Sequence, residues 1–276
     1  MTVKYHDLEN KRVFVTGGGS GIGASIVEHF CEQNSEVCFV DINVKESNKL
    51  ISDIKNKNFK IPTFIECDLL NIKQLQNTIS KIISDKGSIN ILINNAANDE
   101  RHAIDDVTEE YWNERMNVNL RHYFFTVQSV KKAMIKNKGG AIVNIGSASW
   151  MVGQGGMAAY TAAKSGVVGL TRSFARDLGE FNIRVNCVSP GAIDTNMLRS
   201  GLIRGHVGKG SECGSCVTDK SSFRDNACAG CNPGYTLTNQ GTCVLTPLSG
   251  KVVNAAYNAN ALTLDQQYES GQLNFD

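Results

Sequence analysis

The stretch from Arg12 to Phe30 constrains the fold more than any other part of the chain. It opens with a short apolar run, Arg12–Thr16, passes through Gly-Gly-Gly-Ser-Gly-Ile-Gly at 17–23, and continues with apolar residues at helical spacing. This order predicts a buried strand, a glycine loop and a helix. Helix N-termini attract anions, and glycines let a pyrophosphate approach the backbone. A flexible glycine turn without a ligand would show the same cluster, so the loop alone does not decide the function.

Further apolar runs alternate with helical patterns as far as Val188. The predicted strands are Val37–Val40, Ile61–Glu66, Ile89–Ile93, Ala141–Ile145 and Ile183–Val188. Continuous apolar strands alternating with helices predict an α/β fold with a Rossmann-type, doubly wound parallel sheet. Ligands bind such sheets at the carboxyl ends of the strands. The residues that follow predicted strands, and so should line one edge, are Gly17, Asp41, Asp68, Asn95, Ser147 and Pro190.

Asp41 indicates which nucleotide the glycine loop would accept. An acidic residue about 20 positions beyond such a loop can accept hydrogen bonds from the adenosine ribose hydroxyls. The same charge would repel a 2′-phosphate, so Asp41 favours NAD over NADP. Alternatively, Asp41 caps the next helix, a role that Asn43 could also fill.

Tyr160 and Lys164 are four residues apart in a helical pattern. This spacing places their side chains on one face, about 5–6 Å apart at Cβ. An ammonium beside a phenol lowers the phenol pKa from about 10, so that a tyrosine can act as general acid or base. Ser147 precedes Tyr160 by 13 residues, far enough for a strand end and loop to return its hydroxyl to the ring. Alone, the pair could be an accident of an amphipathic helix.

From about Arg12 to Leu198 the sequence resembles the short-chain dehydrogenase/reductase family. The matching motifs are Thr16-Gly17-x-x-x-Gly21-Ile22-Gly23, Asp68, Asn94-Asn95-Ala96, Asn119, Ser147, Tyr160-x-x-x-Lys164 and Pro190-Gly191-x-x-x-Thr195. The resemblance implies an NAD(P)-dependent oxidoreductase acting on a CH–OH or C=O group. Ala97 departs from the family pattern, which usually has glycine there.

The resemblance also implies a role for each matched residue. Tyr160 would be the general acid/base, Lys164 would lower its pKa and hold the nicotinamide ribose, and Ser147 would position the reacting oxygen. Asn119 would anchor a water that relays the proton. The implied cofactor-binding residues are Gly17, Ser20, Gly21, Ile22, Gly23, Asp41, Asp68, Leu69, Asn95, Ala96, Tyr160, Lys164, Pro190, Gly191, Ile193 and Thr195.

Two longer segments narrow the resemblance. Residues 94–102 and 111–122 are similar to a branch of sugar dehydrogenases that oxidise aldoses, such as D-xylose, at C1 to the lactone. Arg101 and His102 could donate hydrogen bonds to sugar hydroxyls, and the expected substrate residues are Asn98, Ser149 and Gln154. The alternatives are a 3-oxoacyl-carrier-protein reductase-like activity, or a solvated turn in which Arg101 is a surface ion-pair partner.

After Leu198 the resemblance ends, and the usual lid, last helix and seventh strand are not recognisable. Five cysteines then follow within about thirty residues, at 213, 216, 228, 231 and 243. They resemble the cysteine-rich repeats of variant surface proteins and furin-like modules. We therefore predict a C-terminally truncated dehydrogenase domain at 1–204 and a poorly ordered cysteine-rich tail at 205–276, joined by a gene rearrangement or an assembly error.

The tail cysteines admit two chemistries. Two Cys-x-x-Cys pairs (Cys213, Cys216, Cys228 and Cys231) could bind zinc, although their gap of 11 residues is shorter than the usual span of roughly 15–20. The repeat resemblance favours disulfides, which need an oxidising compartment.

Composition and charge limit the partners. A net charge of +1 gives no reason to expect binding to nucleic acid or an anionic membrane. No apolar run approaches the roughly 18 residues that span a bilayer, and Met1–Asn10 lacks the apolar core of a signal peptide, so we expect a cytoplasmic protein.

Without a lid we expect NAD binding with weak or absent turnover, or an inactive binding scaffold. Members of the resembled family usually form tetramers, and one of the two interfaces uses the last helix and the seventh strand. The resemblance therefore implies at most a homodimer here, through the helices at about 108–137 and 160–180.

Overall fold

A computed structural model describes residues 3–193 and 195, and the backbone of four short strands between 213 and 245. The chain divides into two units, Met1–Gly210 and Ser211–Asp276. The predicted boundary at 204/205 and the predicted poor order of the tail fall on residues outside the described part.

The first unit is built on a six-stranded, all-parallel sheet in the order β3-β2-β1-β4-β5-β6. The strands are β1 (Arg12–Thr16), β2 (Glu36–Asp41), β3 (Thr63–Glu66), β4 (Ile91–Asn94), β5 (Gly140–Ile145) and β6 (Ile183–Val188). This is the doubly wound order in which the two halves meet between β1 and β4. The predicted α/β fold is confirmed.

Two predicted strands begin two residues too early. The residues predicted to open β3 and β4 are Ile61, which is exposed, and Ile89, which is buried in the core before pairing starts. Pairing begins only at Thr63 for β3 and at Ile91 for β4. An apolar residue next to a strand is therefore not by itself evidence that the residue pairs in the sheet.

Among the described residues, six α-helices cover the sheet. They are α1 (Gly21–Glu32), α2 (Val44–Asn56), α3 (Ile72–Lys86), α4 (Glu109–Met116), α5 (His122–Lys136) and α6 (Ala158–Gly179), with a short 3-10 helix at His6–Leu8. Asn43, Asn71 and Thr108 cap α2, α3 and α4, because each side chain accepts the N–H group three residues on.

The helix predicted at about 108–137 is confirmed, with one departure in its middle. A five-residue π-helix, Asn117–Arg121, separates α4 from α5. Such wider turns are frequent at functional sites. Here the turn carries Asn119, whose side chain is fully buried.

Two apolar clusters pack on opposite faces of the sheet. Phe14, Leu92 and Ile142 lie in the cluster that includes Val127 of α5, and the alternate strand residues lie in the cluster that includes Val27 of α1. Each fully buried side chain of this size stabilises the fold by about 1.5–3 kcal/mol. Helices α5 and α6 are thereby held against β4 and β5.

The described part of the second unit consists of two antiparallel pairs of strands. Strand β7 (Cys213–Cys216) pairs with β8 (Cys228–Cys231), and β9 (Tyr235–Leu237) with β10 (Cys243–Leu245). The backbone register places Cys213 opposite Cys231 and Cys216 opposite Cys228. The side chains that would bind zinc or form disulfides lie outside the described part, so both remain predictions.

Neither a membrane helix nor a metal cluster is found within the described residues. None of their helices has the length and apolarity needed to cross a bilayer. They contain no group of three or more His, Cys, Asp or Glu residues placed to hold a metal ion.

Candidate active site

The glycine loop between β1 and α1 requires its glycines for two reasons. Gly17 and Gly21 have φ values of +66° and +55°, a conformation that L side chains rarely adopt. At Gly23 an added Cβ would lie 1.9 Å from the Gly17 carbonyl oxygen. The loop thus exposes backbone at the N-terminus of α1, where an anion is favoured.

Asp41 is fixed beside this loop. One carboxylate oxygen accepts the Gly19 N–H at 2.8 Å and the other accepts the Asn43 N–H at 2.8 Å. The prediction that Asn43 could cap α2 in place of Asp41 is confirmed. The Asp41 carboxylate is therefore not used as the cap, and it lies at the end of β2 beside the glycine loop. An open glycine turn bordered by a carboxylate has the shape and charge pattern of a dinucleotide site.

Asn95 ties the end of β4 to the loop. Its side-chain amide donates to the carbonyl oxygens of Thr16 (3.1 Å) and Gly17 (2.9 Å), while the Thr16 hydroxyl accepts the N–H groups of Asn95 and Ala96. The side-chain amide therefore shapes the loop, a role that the sequence analysis missed. Its predicted contact with adenosine stays a prediction.

The remaining predicted cofactor residues approach from several sides. A Cβ on Gly21 would lie 3.4 Å from Thr195 Cγ2, which brings the chain beyond β6 to the glycine loop. The Pro190 carbonyl accepts the Ala148 N–H at 2.9 Å. Asp68 accepts the Leu70 N–H at 2.9 Å at the end of β3. Ser20, Gly191 and Ile193 are exposed, Ile22 is half-buried, and Leu69 is buried in the core.

Tyr160 and Lys164 lie one turn apart on α6. The Lys164 ammonium is 5.7 Å from the centroid of the Tyr160 ring, and its side chain is 1% exposed. It donates to Tyr123 Oη at 2.9 Å and to the Ile145 carbonyl at 2.7 Å. The predicted face is confirmed, but the lysine is buried and held by groups that no local pattern indicated.

Burial governs the charges of this pair. It lowers the pKa of Lys164 to about 7. It also raises the pKa of Tyr160, although a hydrogen bond with the Ser147 hydroxyl acts in the opposite direction. The predicted lowering of the Tyr160 pKa by Lys164 is wrong for this structure, because removing the phenolate from water outweighs the other effects.

Ser147 and Ser149 follow β5 and contact each other. The Ser147 hydroxyl donates to Ser149 Oγ at 2.9 Å and accepts the Ser149 N–H at 3.2 Å. Gln154 is exposed, and its N–H donates to the Ser149 carbonyl at 3.0 Å. The structure therefore places Ser149 beside Ser147 and leaves the Gln154 side chain at the surface.

Asn119 holds the loop that follows β4. Its side-chain oxygen accepts the Asn98 N–H at 2.9 Å, and its amide donates to the carbonyls of Asn98 and Arg115, each at 3.0 Å. Asn98 is exposed, and its own side chain accepts the Glu100 N–H. The predicted anchoring of a water by Asn119 stays a prediction.

His102 does not have the predicted freedom to bind a sugar. Its Nδ1 lies 3.1 Å from Tyr111 Oη, and its Nε2 accepts the Ala159 N–H at 3.4 Å. Both ring nitrogens are thus committed, and His102 instead links the loop to the first turn of α6.

Asp99 and Arg101 form a half-buried pair beside Tyr160. Their side chains are 3.8 Å apart and only 25% and 11% exposed, so Arg101 is not the surface ion-pair partner considered as an alternative. An Arg101 Nη1 also lies 2.9 Å from Met157 Sδ, just before α6. The Asp99 charge raises the pKa of Tyr160 and the Arg101 charge lowers it. Asp99 is not among the residues predicted from the sequence, although it lies next to the predicted Asn98.

Arg115 supports this loop from below. Its buried guanidinium pairs with Glu100 at 3.2 Å and lies 5.2 Å from the centroid of the Tyr111 ring. Tyr111 in turn contacts His102, so side-chain contacts hold the loop at both Glu100 and His102.

Comparison with known proteins identifies the family. A family model described as short chain dehydrogenase matches residues 11–202. The chain belongs to the short-chain dehydrogenase family. Dehydrogenases of this family use NAD(P), and the resemblance stated from the motifs is confirmed.

Among similar members, three act on sugars by their names. The D-xylose 1-dehydrogenase of Caulobacter vibrioides (strain NA1000 / CB15N) is 44% identical over 191 residues, 69% of this chain and 75% of that protein. The "Probable galactose dehydrogenase GalD" of Rhizobium meliloti (strain 1021) is 43% identical over 196 residues, 71% and 77% of the two chains. The solved structure of the Thermoplasma acidophilum aldohexose dehydrogenase has a TM-score of 0.65 and 31% identity, covering 75% of each chain.

Proposed function

We propose that this short-chain dehydrogenase oxidises an aldose at C1, with NAD as the hydride acceptor. The observation that carries the proposal is the half-buried Asp99–Arg101 pair beside Tyr160. A carboxylate accepts and a guanidinium donates hydrogen bonds, so together they match the several hydroxyls of a sugar. The names of the three relatives support the same substrate class.

The group that transfers the proton is Tyr160 on α6. When bound, the nicotinamide supplies the acceptor for the hydride that leaves C1. Tyr160 takes the proton of the C1 hydroxyl, and Ser147 holds that oxygen in place. Burial raises the pKa of Tyr160, and the hydrogen bond with Ser147 and the charge of Arg101 act in the opposite direction.

The preference for NAD rests on Asp41. Both of its oxygens are fixed by N–H groups, so the carboxylate cannot readily turn away from the site. A 2′-phosphate placed there would meet a negative charge in a fixed position. We therefore infer weaker binding of NADP than of NAD.

The sugar lies against the loops after β4 and β5. Asn98, Ser149 and Gln154 supply polar groups at its edge, as the sequence analysis predicted. Asp99 adds an acceptor that two neighbouring hydroxyls can share.

A homodimer through α5 and α6 fits the surface of these helices. An apolar groove of about 580 Å³ runs between them, lined by Leu120, Arg121, Phe124, Phe125, Gly166, Gly169, Leu170 and Ser173. Phe124 is 42% exposed there. We infer that a second copy covers this groove, and that sedimentation finds a dimer and not a tetramer.

A cytoplasmic location is consistent with the cysteines of the first unit. Cys31, Cys38, Cys67 and Cys187 are all free thiols. Burial raises the pKa values of the first three to about 12, 11 and 11, so these thiols are unreactive.

A substrate panel tests the proposed function. Purified protein is mixed with NAD or NADP and with D-xylose, D-galactose or other aldoses, and with 3-oxoacyl esters in the presence of the reduced nucleotides. We expect aldose oxidation with NAD preferred, and loss of that signal in Tyr160→Phe. Turnover of 3-oxoacyl esters alone would favour the reductase-like alternative. NAD binding without any turnover would favour the inactive scaffold.

A further inference from the structure

Beneath Tyr160, Lys164 is held by a second tyrosine. The Lys164 ammonium, Tyr123 Oη and the Ile145 carbonyl form a closed triangle with sides of 2.9, 2.7 and 2.9 Å. Tyr123 donates to Ile145 and accepts from Lys164. All three contacts are buried, and they join α5, α6 and the end of β5.

The triangle uses some, but not all, of the N–H donors of the Lys164 ammonium. An ammonium has three N–H donors. Two are taken by Tyr123 and Ile145, so one remains for the Tyr160 side of the site or for a ribose hydroxyl. Removing the Tyr123 hydroxyl would leave Lys164 with one acceptor among the described residues and allow its chain to move.

We propose that Tyr123 is a positioning residue that anchors the Lys164 ammonium beneath Tyr160, so that its third N–H faces the reacting groups. The consequence for turnover rests on the proposed dehydrogenase function, but the anchoring itself does not.

The charged and titratable groups around Lys164 are few. Tyr160 lies on the same helix, Tyr123 and His122 lie on α5, and Cys187 lies on β6. The His122 ring is 4.4 Å from that of Tyr123, and burial lowers its pKa to about 3, so it is neutral near pH 7. Burial also keeps the Tyr123 pKa well above its ordinary value, so Tyr123 acts as a neutral acceptor. Cys187 acts on Lys164 in the direction that raises its pKa.

Tyr123→Phe removes one oxygen and keeps the ring. Because a neutral acceptor favours the charged lysine, we expect the Lys164 pKa to fall by about 1 pH unit from its value near 7. The full chain is labelled with carbon-13 lysine, and the ε-carbon resonance that Lys164→Met removes is followed by NMR against pH.

Thr126→Val is the matched control. Thr126 lies on α5, and its buried hydroxyl donates to Asn94 Oδ1 at 2.7 Å and to the backbone carbonyl of Tyr123 at 3.0 Å, but it makes no hydrogen bond to Lys164 or to the Tyr123 hydroxyl. Its loss should lower stability and leave the Lys164 titration unchanged. An unchanged Lys164 titration in folded Tyr123→Phe, or an equal shift in Thr126→Val, would overturn the proposal.

A second measurement leaves Tyr123 in place, in case Tyr123→Phe does not fold. The chain with Tyr160→Phe is labelled with tyrosine carrying carbon-13 at Cζ. We expect one tyrosine resonance to shift as pH passes about 7, in step with Lys164, and to lose that inflection when Lys164→Met is added. The absence of any such inflection would overturn the anchoring. Normal NMR titrations without aldose turnover would instead reject only the proposed function.

Discussion

The nucleotide end and the catalytic end of the site are formed by different kinds of chemical groups. At the nucleotide end, backbone groups, left-handed glycines and one fixed carboxylate form the surface around Gly17, Gly21 and Asp41. At the catalytic end, buried ionisable side chains, Tyr160 and Lys164, depend on residues far away in sequence. The first end is rigid through its backbone; the second holds charges whose pKa values are set by burial. Binding and turnover should therefore respond to different substitutions.

Tyr160→Phe should produce the largest difference between its effect on turnover and its effect on NAD binding. Removing the proton acceptor should lower kcat by about 10²–10⁴-fold and leave the Kd for NAD within a few-fold. Steady-state kinetics and calorimetric titration measure the two quantities. Tyr5→Phe, at an exposed tyrosine, is the control. An equal loss in both quantities would show that the ends are not independent.

Lys164→Met should stabilise the fold while it damages catalysis. A buried charge replaced by an apolar side chain of similar length is often stabilising, here by about 1–4 kcal/mol near pH 7. The folded pKa of about 7 lies below the ordinary 10.5, so the unfolded chain binds more protons between these values. The stability of the natural chain should therefore rise across that window, and the rise should vanish in the variant.

Urea unfolding from pH 6 to 10 measures this effect. Lys131→Met, at an exposed lysine of α5, serves as the comparison and should change neither the stability nor its pH dependence. A destabilised Lys164→Met would mean that the triangle with Tyr123 stabilises the lysine more than burial penalises it.

Gly23→Ala should damage the nucleotide end. The new Cβ would lie 1.9 Å from the Gly17 carbonyl, so the loop must open. We expect a loss of about 1–3 kcal/mol in stability and at least tenfold weaker NAD binding. Gly179→Ala, where nothing lies within 4 Å of the new Cβ, is the matched control. Unaltered NAD affinity in folded Gly23→Ala would place the nucleotide elsewhere.

Asp41→Asn should have the smallest effect of the series. It removes the charge but keeps an acceptor, so the preference for NAD over NADP should shrink by roughly tenfold, about 1.4 kcal/mol. Ratios of kcat/KM for the two nucleotides measure it, and Asp53→Asn on α2 is the charge-matched control. An unchanged ratio would remove Asp41 from the specificity argument.

Local patterns in the sequence predicted the nucleotide end and the positions of Ser147, Tyr160 and Lys164. A glycine loop and a four-residue helical spacing are short-range features, and they fix geometry without knowledge of the whole fold. The environment of Lys164 could not be predicted, since its acceptor Tyr123 lies 41 residues away. The role of His102 was missed for the same reason, because its partner Ala159 lies 57 residues away. The π-helix at Asn117–Arg121 has no pattern that separates it from an ordinary helix.

Hydride transfer from the sugar tests the central claim most directly. D-xylose and D-galactose carrying deuterium at C1 are incubated with NAD and the full chain, and the reduced nucleotide is examined by mass spectrometry. We expect one deuterium per reduced nicotinamide, and about 10²–10⁴-fold slower formation of this product with Tyr160→Phe. Reduced nicotinamide without deuterium, or bound NAD that no aldose of the panel reduces, would contradict it.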